Sequence, residues 1–270
     1  MPGPLEYLKL LRAWMQASSA AGRILFGTVP LLGDRHWKRH YTNGFILKLK
    51  DFPLDQRAGC IVDIGANVGL FSHAAEIYCP EARIIAAEPS TRAFAELSKT
   101  CGPRVVKVKA AIGASSGCAQ LLIAEHLASS TLKPVSDEAR KIYGPGAAPS
   151  GATEEVRIVT LAELMSQENI EHVDLLKIDV EGYEPQVLEG ASEWLGPRIQ
   201  RIIMEVAVGR LSLNGSLQLL NFLASHGYQL INFADIHRSP LLPYKPIANF
   251  DVWMIHESVA DEVSKSSRAA

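Results

Sequence analysis

Two stretches of this chain put charged side chains inside runs that otherwise read as buried strand. The first is Cys60–Leu70, CIVDIGANVGL. Ile61, Val62 and Ile64 make the β-branched run of a strand covered on both faces, and Asp63 interrupts it. A carboxylate at the end of a buried strand costs free energy unless it is paired or hydrogen-bonded. Gly65 and Gly69 then bracket Ala66-Asn67-Val68. A strand, a tight glycine turn and a helix start suit a nucleoside-containing cofactor. Small residues leave room for a polar chain, and N–H groups at the helix start can face a carboxylate. The dinucleotide pattern G-x-G-x-x-G fails because Asn67 occupies its second glycine position, and no Gly-Lys-Ser/Thr follows for a P-loop. The next apolar run, from Arg83, ends in Glu88-Pro89, where an acidic residue can bond ribose hydroxyls in a doubly wound nucleotide site. An ordinary α/β turn with an N-capping Asn and a strand-end Glu would use the same residues.

The second stretch is Val173–Ala191, VDLLKIDVEGYEPQVLEGA. Leu175, Leu176, Ile178 and Val180 predict a buried strand, and Lys177 and Asp179 alternate onto one face of it. Both are unusual there, so they should be paired or face a cavity. The alternative is a buried Lys–Asp pair that only orders the sheet. Asp179 lies near the carboxyl end of the strand, Glu181 follows in the turn, and Gly182 allows a sharp bend. A further strand, RIIMEV over Arg201–Val206, carries Glu205 near its end.

These residues need a scaffold that brings strand ends together. The rhythm from Cys60 onward is strand and helix in alternation: a helix to about Cys79, a strand over Arg83–Ala87, a helix capped by Ser90, and a third strand over Val105–Ala111. That alternation predicts an α/β fold, a doubly wound and mainly parallel sheet with helices on both faces. The middle, Ser115–Thr160, breaks the rhythm. Strands are predicted over Gln120–Ile123 and Val156–Val159, with a loop insertion between them that contains Gly144-Pro145-Gly146 and Pro149-Ser150-Gly151. Ser129, Ser130 and Thr131 are substrate contacts or turn residues. A short helix over Leu161–Gln167, a helix from near Tyr183 and another over Leu217–His226 follow. Strands over Tyr228–Phe233 and Phe250–His256, joined by a loop over His237–Asn249, form an antiparallel hairpin at the sheet edge. Upstream, Leu5, Leu8, Leu11 and Met15 predict an amphipathic helix that packs on the domain or on a second subunit, or acts as a lid. Gly22–Lys38 reads as irregular and Phe45–Leu49 as a short strand. The resulting division is an N-terminal helical extension over 1–57, a core domain over 58–258 and a polar tail over 259–270.

Composition narrows the function classes. The chain has 270 residues, 47% hydrophobic and 21% charged, enough for a substantial core. A net charge of −2 without a dense basic run argues against a nucleic-acid partner. Four cysteines, Cys60, Cys79, Cys101 and Cys118, lack Cys-x-x-Cys spacing and read as free thiols of a reducing compartment. No apolar run of about 18 residues marks a membrane span, and no secretory pattern opens the chain. A cytoplasmic location is expected.

VDIGANVG, then AAEPS, then LLKIDVEGYEPQVLEGA, in this order, resemble the FkbM family of S-adenosylmethionine-dependent methyltransferases over about residues 58–256. The resemblance implies a Rossmann-like class I methyltransferase fold with seven strands, the last antiparallel. It also implies S-adenosylmethionine as cofactor, with S-adenosylhomocysteine as product. Asp63, Gly65, Asn67 and Gly69 would line the methionine part. Glu88 would bond the ribose, with Pro89 and Ser90 beside the adenine, and Ala111 and Ile112 would flank that ring. Asp179 and Glu181 would stand at the reaction edge. Methyl transfer from a sulfonium asks for in-line placement of a nucleophile and removal of its proton. Asp179, Glu181 and Glu205 are the carboxylates placed to take it, ahead of His36 and His237. Two carboxylates two residues apart are a weak metal signature, and no metal is predicted. The expected reaction is O-methylation of a hydroxyl on a small molecule, sugar or secondary metabolite, with a small-molecule or glycan acceptor and a homodimer as the partners weighed. N- or carboxyl-methylation, a cofactor-binding protein without turnover and an NAD-dependent oxidoreductase are the alternatives.

Overall fold

The computed structural model describes residues 34–124, 130–136, 140, 142, 149–238 and 247–260. Its elements are α1 (Asp34–Asp51), β1 (Cys60–Ile64), α2 (Leu70–Tyr78), β2 (Arg83–Ala87), α3 (Thr91–Thr100), β3 (Val105–Val108), β4 (Ala111–Ile112) and β5 (Gly117–Ala124). The second half adds β6 (Pro149–Val159), α4 (Leu161–Gln167), β7 (Leu175–Ile178), α5 (Glu184–Gly190), β8 (Arg201–Val206), α6 (Val208–Ser225), β9 (Tyr228–Arg238) and β10 (Ile247–His256). A seven-stranded sheet runs β3-β2-β1-β7-β8-β10-β9, and a three-stranded sheet runs β4-β6-β5. In the large sheet, β1 is parallel to β2 and β7, and β10 is antiparallel to both β8 and β9. The terminal hairpin is therefore as expected.

Alternation along the strands divides the core. Cys60, Val62 and Ile64 pack toward α4, α5 and α6, where Leu164, Met165, Leu188 and Leu223 are buried. Ile61 packs toward α1, α2 and α3, against Leu49, Phe71 and Leu97. All five residues of β1 are buried, as a central parallel strand requires. The helices start where their caps allow. Ser90 accepts from the Ala93 N–H at 3.4 Å, and Thr160 and Glu163 form a reciprocal capping box at the head of α4. The four cysteines are unpaired, three of them buried. Among the described residues no helix is long and apolar enough to cross a membrane.

Several expectations are corrected. Phe45–Leu49 is not a strand but the middle of α1, which begins at Asp34 inside the stretch read as irregular. Its buried side follows a helical period: Phe45 meets Phe71 edge-on at 5.6 Å, Leu49 is inaccessible, and Phe52, just past the helix, meets Trp253 at 5.5 Å. Leu47 is 61% exposed. A five-residue window cannot separate the two periods, which is why the alternation misled. The third strand stops at Val108, and Ala111-Ile112 leaves the large sheet to pair with β6. Pro149-Ser150-Gly151, read as loop, opens β6 and is part of the ladder to β5. Residues 217–226 form only the later part of α6, which starts at Val208 and is interrupted at Ser212, φ 68° and ψ 164°. The last loop is shorter than His237–Asn249 because β9 continues to Arg238 and β10 starts at Ile247. Val259, the first residue of the stretch read as a polar tail, is buried at a helical turn over 257–260. The amphipathic helix expected over 5–20, Ser129, Gly144-Pro145-Gly146 and residues 261–270 lie outside the described residues.

The two readings of α1 differ in which leucine is buried. In urea melts, Leu49→Ala should cost about 2–4 kcal/mol and Leu47→Ala less than about 0.5 kcal/mol. Equal losses would restore the strand reading, in which both face inward.

Candidate active site

The order of the large sheet reverses between β1 and β7, and a doubly wound sheet opens its ligand crevice at that point. Asp63 and Lys177 are direct neighbours across this junction. Lys177 Nζ lies 3.1 Å from Asp63 Oδ1 and 3.5 Å from Asp179 Oδ2. Ser72, on α2, donates to the other Asp63 oxygen at 2.6 Å. The ammonium also reaches the Gly65 carbonyl at 3.4 Å and stands 5.6 Å from the Phe71 ring centre. Burial pulls the Lys177 pKa down, and the Asp63 and Asp179 carboxylates more than reverse it, so it stands above the ordinary lysine value. The carboxylate predicted to be costly is thus fully partnered.

Gly65 follows with φ +74°, and a Cβ there would come within 1.9 Å of the Asp179 carbonyl oxygen. Only glycine lets the β1 turn cross the end of β7 so closely. Asn67, at φ 51°, donates its N–H to Glu88 Oε2 at 2.9 Å, and Ser90 donates its N–H to Oε1 at 2.9 Å. Burial pushes the Glu88 carboxyl up to about 7, against these two donations. Gly69, φ +83°, serves packing: a Cβ would meet Leu97 and Cys101 of the α3 region at 2.5 and 2.8 Å.

These turns open on a cavity with about 840 Å³ of empty space, part of it open to solvent. Gly65, Asn67, Glu88, Pro89, Ala111 and Ile112 line one side, and Asp179, Glu181 and Glu205 line it as well. Of the residues singled out in the sequence, Asp63, Gly69 and Ser90 do not line it. They support it from beneath, through Lys177, through the packing of α3 and through Glu88. The side chains of His36 and His237 lie outside the described residues.

The cavity's acidic side is crowded. Glu181 has φ 55°, and its Oε2 lies 3.0 Å from Nε of Arg210 on α6. Glu184, inaccessible to solvent, accepts the Gly182 N–H at 2.9 Å and is pushed by burial up to about 7. Glu205 accepts from the Asn249 amide. Burial, then the Asp179, Glu181, Asp251 and Glu184 carboxylates, raise its pKa well above the usual range. Such a carboxyl holds a proton more readily than an ordinary glutamate. Sequence reasoning missed Arg210, Glu184, Asn249, Tyr183 and the wall formed by Leu121 and Leu132. None interrupts an apolar run, which was the signal that exposed Asp63 and Lys177.

Lys177→Met should lower stability by about 3–5 kcal/mol in urea melts, because Asp63 is left charged in the core. Adding Asp63→Asn should recover most of that loss. A single variant as stable as the wild type would show that the pair orders nothing.

The Methyltransferase FkbM domain matches residues 63–230, which span the cavity walls from β1 into β9. Methyltransferase sdnD of Sordaria araneosa is 29% identical over 170 residues, 54% of this chain and 65% of that protein, so the chain spans just under two thirds of that relative. The 31-O-demethyl-FK506 methyltransferase FkbM of Streptomyces tacrolimicus is 25% identical over 258 residues, 87% of this chain and 93% of its own. The crystal structure of methyltransferase FkbM from Methylobacillus flagellatus KT aligns with a TM-score of 0.45 and 14% identity, covering 72% of this chain and 43% of that one. With the family's domain matched over more than half its length, the chain belongs to the FkbM family of S-adenosylmethionine-dependent methyltransferases.

Proposed function

We propose that the protein O-methylates a hydroxyl of a small molecule, sugar or secondary metabolite, with the acceptor delivered to the Asp179–Glu181–Glu205 side of the cavity. The observation that carries this reading is the meeting, in one cavity, of the Gly65–Asn67 turn and Glu88 with three carboxylates. The residues present suit the cofactor. Glu88 offers carboxylate oxygens to a ribose diol, and Asn67 Oδ1 is buried without a hydrogen-bond partner. Space of this size accepts a nucleoside with a polar chain. Pro89, Ala111 and Ile112 supply apolar contact for adenine. When bound, the cofactor supplies an activated methyl on a sulfonium.

The chain's own residues do the rest. Asp63 and Lys177 hold the Gly65 turn against β7 and fix Asp179 at the edge. Asp179, whose side chain is 41% exposed, is open to the cavity and is the leading candidate to accept the hydroxyl proton. Glu205, with its raised pKa, is the partner placed to share it. Glu181 is engaged by Arg210 and positions the acceptor. The Streptomyces relative, whose name specifies a 31-O-demethyl substrate, supports oxygen as the acceptor atom. Carboxyl-methylation needs no base, and its acceptor would bring a further negative charge against these carboxylates.

Two measurements test the reading. First, a panel of hydroxylated acceptors is assayed for S-adenosylhomocysteine release. Asp179→Asn should lower kcat about 100-fold and leave S-adenosylhomocysteine affinity within about threefold. Undiminished turnover in that variant would overturn Asp179 as the base. Second, adenosine binding should follow Glu88. Below its pKa of about 7 the carboxyl holds a proton and loses an acceptor oxygen, so affinity should fall roughly tenfold from pH 8 to pH 6. Glu88→Gln should bind weakly at both values and lose the dependence.

A further inference from the structure

Glu181 occupies an unusual backbone state. It and Gly182, φ +96°, both have positive φ, and Tyr183 N–H closes the turn on the Val180 carbonyl at 3.3 Å. Two positive φ values are what a mirror-image turn needs, and Asn, Asp or Gly usually supply the first of them. A glutamate there stores about 1–2 kcal/mol of backbone strain, so neighbouring contacts must hold it. Arg210 holds the carboxylate. The carbonyl is held by Thr131, whose hydroxyl donates to Glu181 O at 2.9 Å across 50 residues of sequence.

Thr131 is itself firmly seated. It is 2% exposed. Its backbone pairs both ways with Leu122 of β5, Leu122 N–H to Thr131 O at 2.9 Å and Thr131 N–H to Leu122 O at 3.1 Å. Its Oγ1 also accepts the Lys133 N–H at 3.1 Å, and Ser130 Oγ accepts the Ala124 N–H at 3.2 Å. Residues 130–132 therefore form a strip along the outer edge of β5, and all three line the cavity. The small sheet is tied to the large domain elsewhere too, where Glu154 on β6 accepts the Thr91 N–H at 3.1 Å at the head of α3. The strip bridges the cavity between these ties.

We propose that Thr131 is a positioning residue, latching the 130–132 strip of the small sheet onto the Glu181 turn and so fixing both the cavity wall and the left-handed backbone that aims Glu181. Its consequence for methyl transfer rests on the reading of Glu181 as an acceptor-side residue. The latch itself is a property of the ligand-free protein.

The test compares Thr131→Val, which keeps the shape and deletes the hydroxyl, with Thr131→Ser, which keeps the hydroxyl. Amide hydrogen exchange is followed in the ligand-free proteins over 119–124, 130–133 and 180–183. Thr131→Val should exchange about tenfold faster in the strip and in the Glu181 turn together, with β1 and β8 unchanged, and Thr131→Ser should match the wild type. S-adenosylhomocysteine should bind Thr131→Val about fivefold or more weakly and Thr131→Ser within twofold of the wild type. Ser130→Ala, which loosens the strip and leaves the latch, should speed exchange in the strip alone. In the wild type, bound S-adenosylhomocysteine should slow exchange in strip and turn together. Unchanged exchange at 180–183 in Thr131→Val, a Thr131→Ser as fast as Thr131→Val, or ligand protection of the turn without the strip would each overturn the latch. Failure of the wild type to bind S-adenosylhomocysteine would instead count against the cofactor site, and ligand-free exchange would still decide the latch.

Discussion

The site hangs on one buried ammonium. Lys177 sits between Asp63, at the end of β1, and Asp179, just past the end of β7, and also reaches the carbonyl of Gly65. Neither Asp63 nor Lys177 could be tolerated alone in this core, and together they fasten the two strands at which the sheet reverses order. Burial of an ion pair adds little net stability, because desolvation consumes much of the Coulomb gain. What it contributes here is geometry. With Lys177 in place, the glycine turn and the Asp179 carboxylate have a common reference point, which apolar residues of the same volume would not provide.

Close approach is the second constraint. The β1 turn passes so near the Asp179 carbonyl that a methyl group cannot fit at Gly65, and α3 packs so near the head of α2 that none fits at Gly69 without displacing Leu97. These two glycines, four residues apart in sequence, answer to different neighbours. Four non-glycine residues have positive φ among the described residues. Besides Asn169, ahead of β7, these are Asn67, Glu181 and Ser212, and the first two of them line the cavity. The third follows Arg210 by two residues, where the kink divides α6 just beyond the side chain that meets Glu181.

What was legible in the sequence is what breaks a pattern. A charge inside an apolar run is visible without a structure, so Asp63, Lys177, Asp179, Glu88 and Glu205 could be picked out, and strands β2 and β8 matched their expected ends. Elements defined by tertiary pairing were not legible. Val105–Ile112, VVKVKAAI, holds no glycine or proline to divide it, yet its last two residues belong to another sheet because β6 captures them. Pro149 and Gly151 look like loop, but Pro149 is the first residue of its strand, where the missing N–H costs no ladder bond in the chain's interior. Thr131 reads locally only as a substrate contact or a turn residue, and Arg210 carries no local signal at all. Their importance comes from contacts across 50 and 29 residues, and spacing rules cannot reach that far.

The proton balance of the cavity explains why carboxylates can be crowded there. Glu88 and Glu184 each rise from 4.5 to about 7, so between those values the folded chain holds protons that the unfolded chain has released. Protein stability then falls as pH rises through that window, by the sign of the linkage relation, and the loss is complete once both groups ionise. Burial and the neighbouring carboxylates raise the Glu205 pKa too, so it acts in the same direction. Such a site is least stable above about pH 7, where both carboxyls are ionised. On the proposed reading, a sulfonium in this cavity would bring the missing charge, and the crowding would become a preference for a cation. The same crowding raises the proton affinity of Glu205, which the proposed O-methylation would use. Cofactor preference and proton uptake would then share one electrostatic origin, with Lys177 and Arg210 limiting the excess negative charge.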